Sequence, residues 1–132
     1  VQFTRETTEA NLIRAWEPGR VRIGERWLAG HVIVSPERVI EAWNVSDPTQ
    51  LVVADLQPAI DLAPTIVLLG TGNGALLPDI ALMDALAERA IGLEIMGTPA
   101  ACRTYNVLVH EQRRVVAALF NSPARSAPRD EL

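Results

Sequence analysis

The sequence predicts a single α/β domain, in which an N-terminal antiparallel meander leads into a mixed or parallel sheet with helices packed on it. Three observations carry this. The 132 residues fit one hydrophobic core, and 48% hydrophobic with 21% charged residues is ordinary for a globular chain. Up to Trp43 the chain runs in short alternating stretches parted by turn residues, whereas after Ser46 apolar runs alternate with helical spacing. Finally, Thr65 to Gly74 (Thr-Ile-Val-Leu-Leu-Gly-Thr-Gly-Asn-Gly) is an apolar run stopped by glycines, the pattern of a strand buried on both faces that ends in a tight turn.

In chain order, residues 1–10 are polar and expected to be frayed or loosely paired. Asn11 to Trp16 alternates, and Glu17-Pro18-Gly19 turns the chain. Arg20-Val21-Arg22-Ile23 alternates again, with arginines on one face, and Gly24-Glu25 makes a hairpin connection. Arg26 to Val34 reads as one long strand ended by Ser35-Pro36, and Arg38 to Trp43 as another. Ser46-Asp47-Pro48 is a helix-start signal, and Thr49 to Gln57 follows as a short helix. Thr65 to Leu69 is expected at the centre of the sheet. Pro78-Asp79 opens a second helix, with Leu82, Met83, Leu86 and Ala90 at helical spacing. Ile91 to Met96 is a strand that a right-handed crossover sets beside Val67. Gly97-Thr98-Pro99 caps a third helix whose buried stripe is Ala101, Tyr105 and Leu108, and Arg114 to Phe120 is a last strand of open direction. From Asn121 onward periodicity is lost, so the expected domain spans residues 1–120 and a disordered tail residues 121–132.

Composition narrows the function classes. A net charge of −4 provides no basic field for nucleic acid or acidic lipid. Every basic residue is Arg, which excludes Schiff-base lysine chemistry and the P-loop lysine. One cysteine excludes an internal disulfide, and His31 and His110 form no metal motif, so no metal or cofactor is expected. No apolar run reaches the roughly 18–20 residues of a membrane span. The first residues have no apolar signal core, so the cytoplasm is the expected location.

Two stretches together carry a family resemblance: Ile66 to Gly72, and Met96-Gly-Thr-Pro-Ala-Ala-Cys-Arg-Thr-Tyr-Asn106 followed by Glu111-Gln-Arg-Arg-Val-Val-Ala-Ala118. With Val32-Ile33-Val34-Ser35-Pro36 and Trp43 before them, they resemble a family of small bacterial and archaeal domains of unknown function. Its eukaryotic members include the third mitochondrial assembly factor of respiratory complex I. The resemblance covers roughly residues 10–120. It implies a three-layer arrangement around a mixed five-stranded sheet, no established reaction, and a role of the assembly type.

Several residues invite a functional reading, each beside a structural one. Gly70, Gly72 and Ala75 fit a relaxed dinucleotide fingerprint with Glu94 near the ribose position, yet Leu76-Leu77-Pro78 delays the helix that should meet a pyrophosphate. The alternative is a tight turn with Gly72 or Gly74 at positive φ. Arg103, Asn106 and His110 share a helix face and could, with the Gly70-Thr71-Gly72-Asn73-Gly74 turn as the opposite wall of a crevice, bind a carboxylate or phosphate. The structural reading, which is preferred, has Arg103 and Asn106 hydrogen-bonding loop carbonyls, including those of the glycine turn, and His110 solvated near the helix end. Cys102 is too far along the helix from His110 for a nucleophile–base pair and reads as a packed small residue. Asp79, Asp84 and Glu88 read as a solvated acidic face. Trp16, Trp27 and Trp43 all lie in the meander; one on an exposed face, rimmed by Arg20, Arg22 and Arg26, would anchor a protein contact. With no complete catalytic set, a non-catalytic interaction or assembly domain is the first expectation. Its partner would be an unidentified protein or a second copy of the chain. A small-molecule binder or enzyme for an anion or nucleotide is the alternative.

Overall fold

A computed structural model describes residues 9–73 and 79–123. The meander is there as a three-stranded antiparallel sheet of β1 (Ile13–Glu17), β2 (Arg20–Ile23) and β3 (Arg26–Ala29), in that order. Alternation sends Val21, Ile23 and Leu28 inward and leaves Arg20 and Trp27 outside.

The long strand expected over Arg26 to Val34 is broken. Gly30 takes φ +82°, which a residue with a side chain rarely adopts, and the chain turns there. β4 (Val32–Val34) consequently leaves the small sheet for the larger one. The next strand is only the pair Val39–Ile40, β5, because Ala42 at φ 56° ends the extended run before Trp43. The helix expected over Thr49 to Gln57 resolves into two 3-10 turns, Pro48–Gln50 and Val53–Leu56, with the second running into α1 (Gln57–Ile60). Two side chains fix these starts: Asp47 accepts from Thr49 N at 2.9 Å, and Asp55 accepts from Val52 N at 3.0 Å.

The remaining elements are β6 (Ile66–Gly70), α2 (Ile80–Ala87), β7 (Gly92–Met96), α3 (Thr98–His110) and β8 (Val115–Leu119). Asp79 caps α2 by accepting from Ala81 N at 2.8 Å. The five-stranded sheet has the order β5-β4-β8-β6-β7. β6 is parallel to β7 with Val67 opposite Leu93, and parallel to β8 with Val67 opposite Val116. β8 is antiparallel to β4, which settles the direction that pattern left open. The middle strand is therefore β8, and β6 sits one place off centre. All five residues of β8 are buried, and Ala117 and Ala118 keep both of its faces shallow enough to be covered.

Period-two alternation divides the core between the faces of this sheet. Val67, Leu69, Val116 and Ala118 pack with Leu56, Leu82, Leu86 and Trp43 on one side. Leu68, Val115, Ala117 and Leu119 pack on the other with Ala101, Cys102 and Tyr105 of α3 and with Val21 and Leu28 of the small sheet. The result is an α/β domain in three layers. Asn121, the expected start of the tail, is 2% exposed and bonded to Gly30 and His31, while 124–132 lie outside the described residues. No helix among the described residues is long and apolar enough to cross a membrane.

Candidate functional site

The glycine turn follows β6, where a parallel strand hands over to the loops at its carboxyl end. Its backbone is committed to the start of α3. Gly72 N donates to Thr98 Oγ1 at 2.8 Å, Thr98 N donates to Gly72 O at 2.7 Å, and Thr98 Oγ1 donates to Phe120 O at 2.8 Å. Thr71 N donates to Met96 O at 2.9 Å. Thr98, fully buried, thus ties β6, α3 and the end of β8 together. Gly70 is glycine for lack of room: a Cβ there would lie 2.9 Å from Thr98 Oγ1 and 3.0 Å from Leu119 Cδ2. Gly72 has φ +96°, as a turn of this kind demands, and a Cβ on it would meet nothing within 4 Å. Gly74 and Ala75 lie outside the described residues. α2 starts only at Ile80, so its N-terminus is not part of the turn.

On α3, Asn106 uses both ends of its amide on the backbone of Ile13, and Tyr105 Oη donates to Asn11 O at 2.7 Å. The exposed His110 places Nδ1 2.8 Å from the Asn106 carbonyl, which makes Nδ1 the protonated nitrogen of that contact. Arg103 is exposed and borders a hollow of about 250 Å³ together with Ala15, Trp16, Pro99 and Cys102. Cys102 is buried; burial pushes its thiol up to about 12, against a smaller opposing pull from Arg103. That shift favours the protonated thiol near neutrality and works against a nucleophilic role.

The glycine turn borders a different cavity. Gly72 and Asn73 line a space of about 330 Å³ with Trp16, Phe120, Asn121 and Pro123. Trp16 belongs to both walls and stands between the turn and the Arg103–Asn106 face. A larger cavity, about 460 Å³, opens at the opposite end of the parallel strands beside Pro36, Pro64 and Arg113. Among the described residues, no group of three or more His, Cys, Asp or Glu is placed to hold a metal.

The three tryptophans differ. Trp43 is buried, donates Nε1 to Asp55 O at 2.9 Å, and meets Phe120 edge-on with centroids 5.1 Å apart. Trp16 is half-buried. Trp27 is 38% exposed on the outer face of the small sheet, with the Arg20 guanidinium 4.0 Å from its ring centroid and Arg22 opposite it on β2. Arg20 also pairs with Glu17, and Arg26 with Glu41, each at 2.8 Å.

Thr98 and Asn121 escaped sequence reasoning as contributors here. Thr98 looked like a cap and Asn121 like a tail, and only a Thr between Gly97 and Pro99 hinted at more.

Residues 13–120 match a family described as "Protein of unknown function (DUF498/DUF598)". The chain is 31% identical over 124 residues to NADH dehydrogenase (ubiquinone) 1 alpha subcomplex assembly factor 3 of Danio rerio, covering 92% of this chain and 71% of that protein. It is 33% identical over 104 residues to the Mus musculus protein of the same name, covering 74% of this chain and 54%, about half, of that relative's length. A crystal structure of a Bordetella parapertussis protein superposes with a TM-score of 0.82 at 33% identity, over 89% of this chain and 100% of that one. An NMR structure of a Xanthomonas campestris protein does so with a TM-score of 0.82 at 31% identity, over 99% and 100%. The match runs from β1 through β8 and takes in both sheets and α3, so the chain belongs to the DUF498/DUF598 family of proteins of unknown function.

Proposed function

We propose that this chain is a non-catalytic protein-interaction or assembly domain that presents the outer face of β1–β3 to a protein partner. The observation that carries the reading is Trp27, a large aromatic side chain left 38% exposed at the free face of a sheet beneath Arg20. Aromatic and Arg side chains are the anchors of protein interfaces, and a ring already held by a guanidinium loses little freedom on docking. Two further points support it. The Danio rerio and Mus musculus relatives are named as assembly factors. Two polar or nucleophilic side chains of α3 are otherwise engaged, Asn106 on Ile13 and Cys102 in the core. The test is recovery of partners from source cells by wild-type and Trp27→Ala chains, with light scattering after size exclusion to detect self-association. The reading expects a complex, with another protein or with a second copy, that Trp27→Ala loses while its melting temperature holds. An identical partner profile and mass for both chains would count against it.

A second reading, binding of an anion at the exposed Arg103, draws support from one observation, although Asn106 is spent on Ile13 and the glycine turn borders a different cavity. The exposed Arg103 guanidinium has no hydrogen bond or ion pair among the described residues and borders an open hollow. A thermal-shift screen of phosphates, nucleotides and carboxylates tests it, and a hit that Arg103→Ala leaves unchanged would sink it.

A further inference from the structure

We propose that β3 receives an extended, acidic segment of a partner protein as an added strand of the small sheet. The inference rests on the reading of β1–β3 as an interaction surface, and it names the mode and the chemistry of the contact.

β3 is an outer strand in the order β1-β2-β3. Its register says which of its backbone groups are spent. The two-residue turn Gly24-Glu25 joins Ile23 to Arg26, which makes those two a bonded pair. At the other end Gly30 N donates to Gly19 O at 2.9 Å. Bonded pairs alternate along an antiparallel ladder, so Leu28 bonds Val21 between these ends. The N–H and C=O of Trp27 and Ala29 therefore point away from β2. Both residues are exposed, and among the described residues nothing hydrogen-bonds their backbone on that side. The opposite edge of the sheet differs: Asn106 covers it by bonding both backbone groups of Ile13. β3 carries neither a proline nor a bulge to discourage pairing. An outer strand of this kind takes up an extended peptide through main-chain hydrogen bonds.

The side chains beside the edge set the chemistry of the guest. Arg20 and Arg22 share the outer face with Trp27. The Arg20 guanidinium, 4.0 Å from the Trp27 ring centroid, lies one strand nearer the free edge than its own backbone. Its contact with Glu17 is a surface ion pair, with side chains 44% and 49% exposed, which holds it only weakly. Arg22 donates from Nε to Gly24 O and meets no carboxylate among the described residues. Two guanidiniums beside a ring favour a strand with carboxylates on alternate residues. A second copy offering its own β3 would bring the same arginines, so like charge opposes self-pairing and favours a different chain.

The test is NMR titration and amide hydrogen exchange of the full chain with the peptide acetyl-Thr-Glu-Val-Glu-Val-Glu-Thr-amide, and with the same peptide carrying Gln for each Glu. In the free chain the Trp27 and Ala29 amides are expected to exchange faster than that of Leu28, which β2 protects. The acidic peptide should slow both, and should bind about fivefold more tightly than the Gln form, the scale of one partly exposed charge pair. Ala29→Pro removes an edge donor, leaves Trp27 in place, and is expected to abolish peptide binding. The wild-type readouts decide the matter should Ala29→Pro fail to fold. Protection of Trp27 and Ala29 already in the free chain would show the edge to be taken and would overturn the proposal. Equal binding of the two peptides, slowing confined to other amides, or a dimer that Ala29→Pro dissolves would overturn it too. In partner recovery, loss with Trp27→Ala but not with Ala29→Pro would overturn the strand pairing and leave the reading of the face intact, whereas loss with neither would sink that reading itself.

Discussion

Asn106 holds Ile13 by both ends of its side-chain amide: Ile13 N donates to Oδ1 at 2.9 Å, and Nδ2 donates to Ile13 O at 2.8 Å. The amide stands in for a neighbouring strand, so a helix covers the outer edge of β1 where an unpaired peptide would otherwise remain. This pair and Tyr105 join α3 to the start of the small sheet, whose Val21 and Leu28 pack in the same core. Asn106→Ala removes both bonds and leaves two part-buried groups unpaired. A loss of about 2–4 kcal/mol in denaturant unfolding is expected. A change below roughly 0.5 kcal/mol, the scatter of ordinary surface substitutions, would show that α3 and β1 are held together by apolar packing alone.

Thr98 is the other fastening. Its hydroxyl accepts from Gly72 and donates to Phe120 with no exposure to solvent. Thr98→Val keeps the shape and strands both partners, for an expected loss of about 2–4 kcal/mol. Thr98→Ser keeps the hydroxyl and should recover most of that difference. Equal stability of the Val and Ser variants would contradict the hydrogen-bonding account and leave packing as the cause.

Cys102 should be slow to alkylate at neutral pH, because burial raises its thiol to about 12 from the ordinary 9.0. The same shift makes stability depend on alkaline pH. Between 9.0 and about 12 the unfolded chain gives up the thiol proton and the folded chain retains it. The unfolded state is then favoured, so stability that is complete below pH 9.0 declines as pH rises through that window. Tyr105, also raised by burial and then by Glu37, adds to the decline at the alkaline end. Comparing Cys102→Ala with wild type isolates the thiol: the gap between their unfolding free energies should narrow or reverse above pH 9.0, and a constant gap would refute the assignment.

His31 acts at the acid end. Burial lowers its pKa below 6.5, and its Nδ1 accepts from Asn121 N, a bond that protonation abolishes. Below pH 6.5 the unfolded chain takes up the proton first, so stability present above that pH falls as the solution is acidified. His31→Gln, which retains an acceptor without the titration, should show a smaller drop in melting temperature between neutral and mildly acid buffer. A drop as large as wild type's would place the acid sensitivity elsewhere.

Much of the fold was legible because it rests on local pattern. The alternation of Arg20-Val21-Arg22-Ile23, the apolar run at Ile66, the Gly97-Thr98-Pro99 cap and the parallel pairing of Val67 with Leu93 all follow from periodicity and turn chemistry. The missed features depend on distant partners. Nothing near Gly30 in sequence says that the strand must change sheets there; that follows from β8, which arrives much later to pair with Val32–Val34. Asn106 looked available to a ligand because its true partner, Ile13, is 93 positions away. Asn121 looked like tail because its bonds reach back to Gly30 and His31. Pattern alone does not tell which tryptophan is exposed, since Trp27 and Trp43 differ through a chain reversal between them.

The position of β8 between β4 and β6 also dictates an order of events on the ribosome. Neither of those earlier strands pairs with the other, so a nascent chain that has reached only as far as α3 carries two open strand edges with no mate. The sheet can close only when residues 115–119 have emerged, and the β6–β7 pair and the β4–β5 pair must wait as separate pieces until then. A stall or truncation just ahead of Val115 would release a polypeptide whose apolar edges are primed for aggregation, and holdase chaperones are the cell's means of shielding that interval.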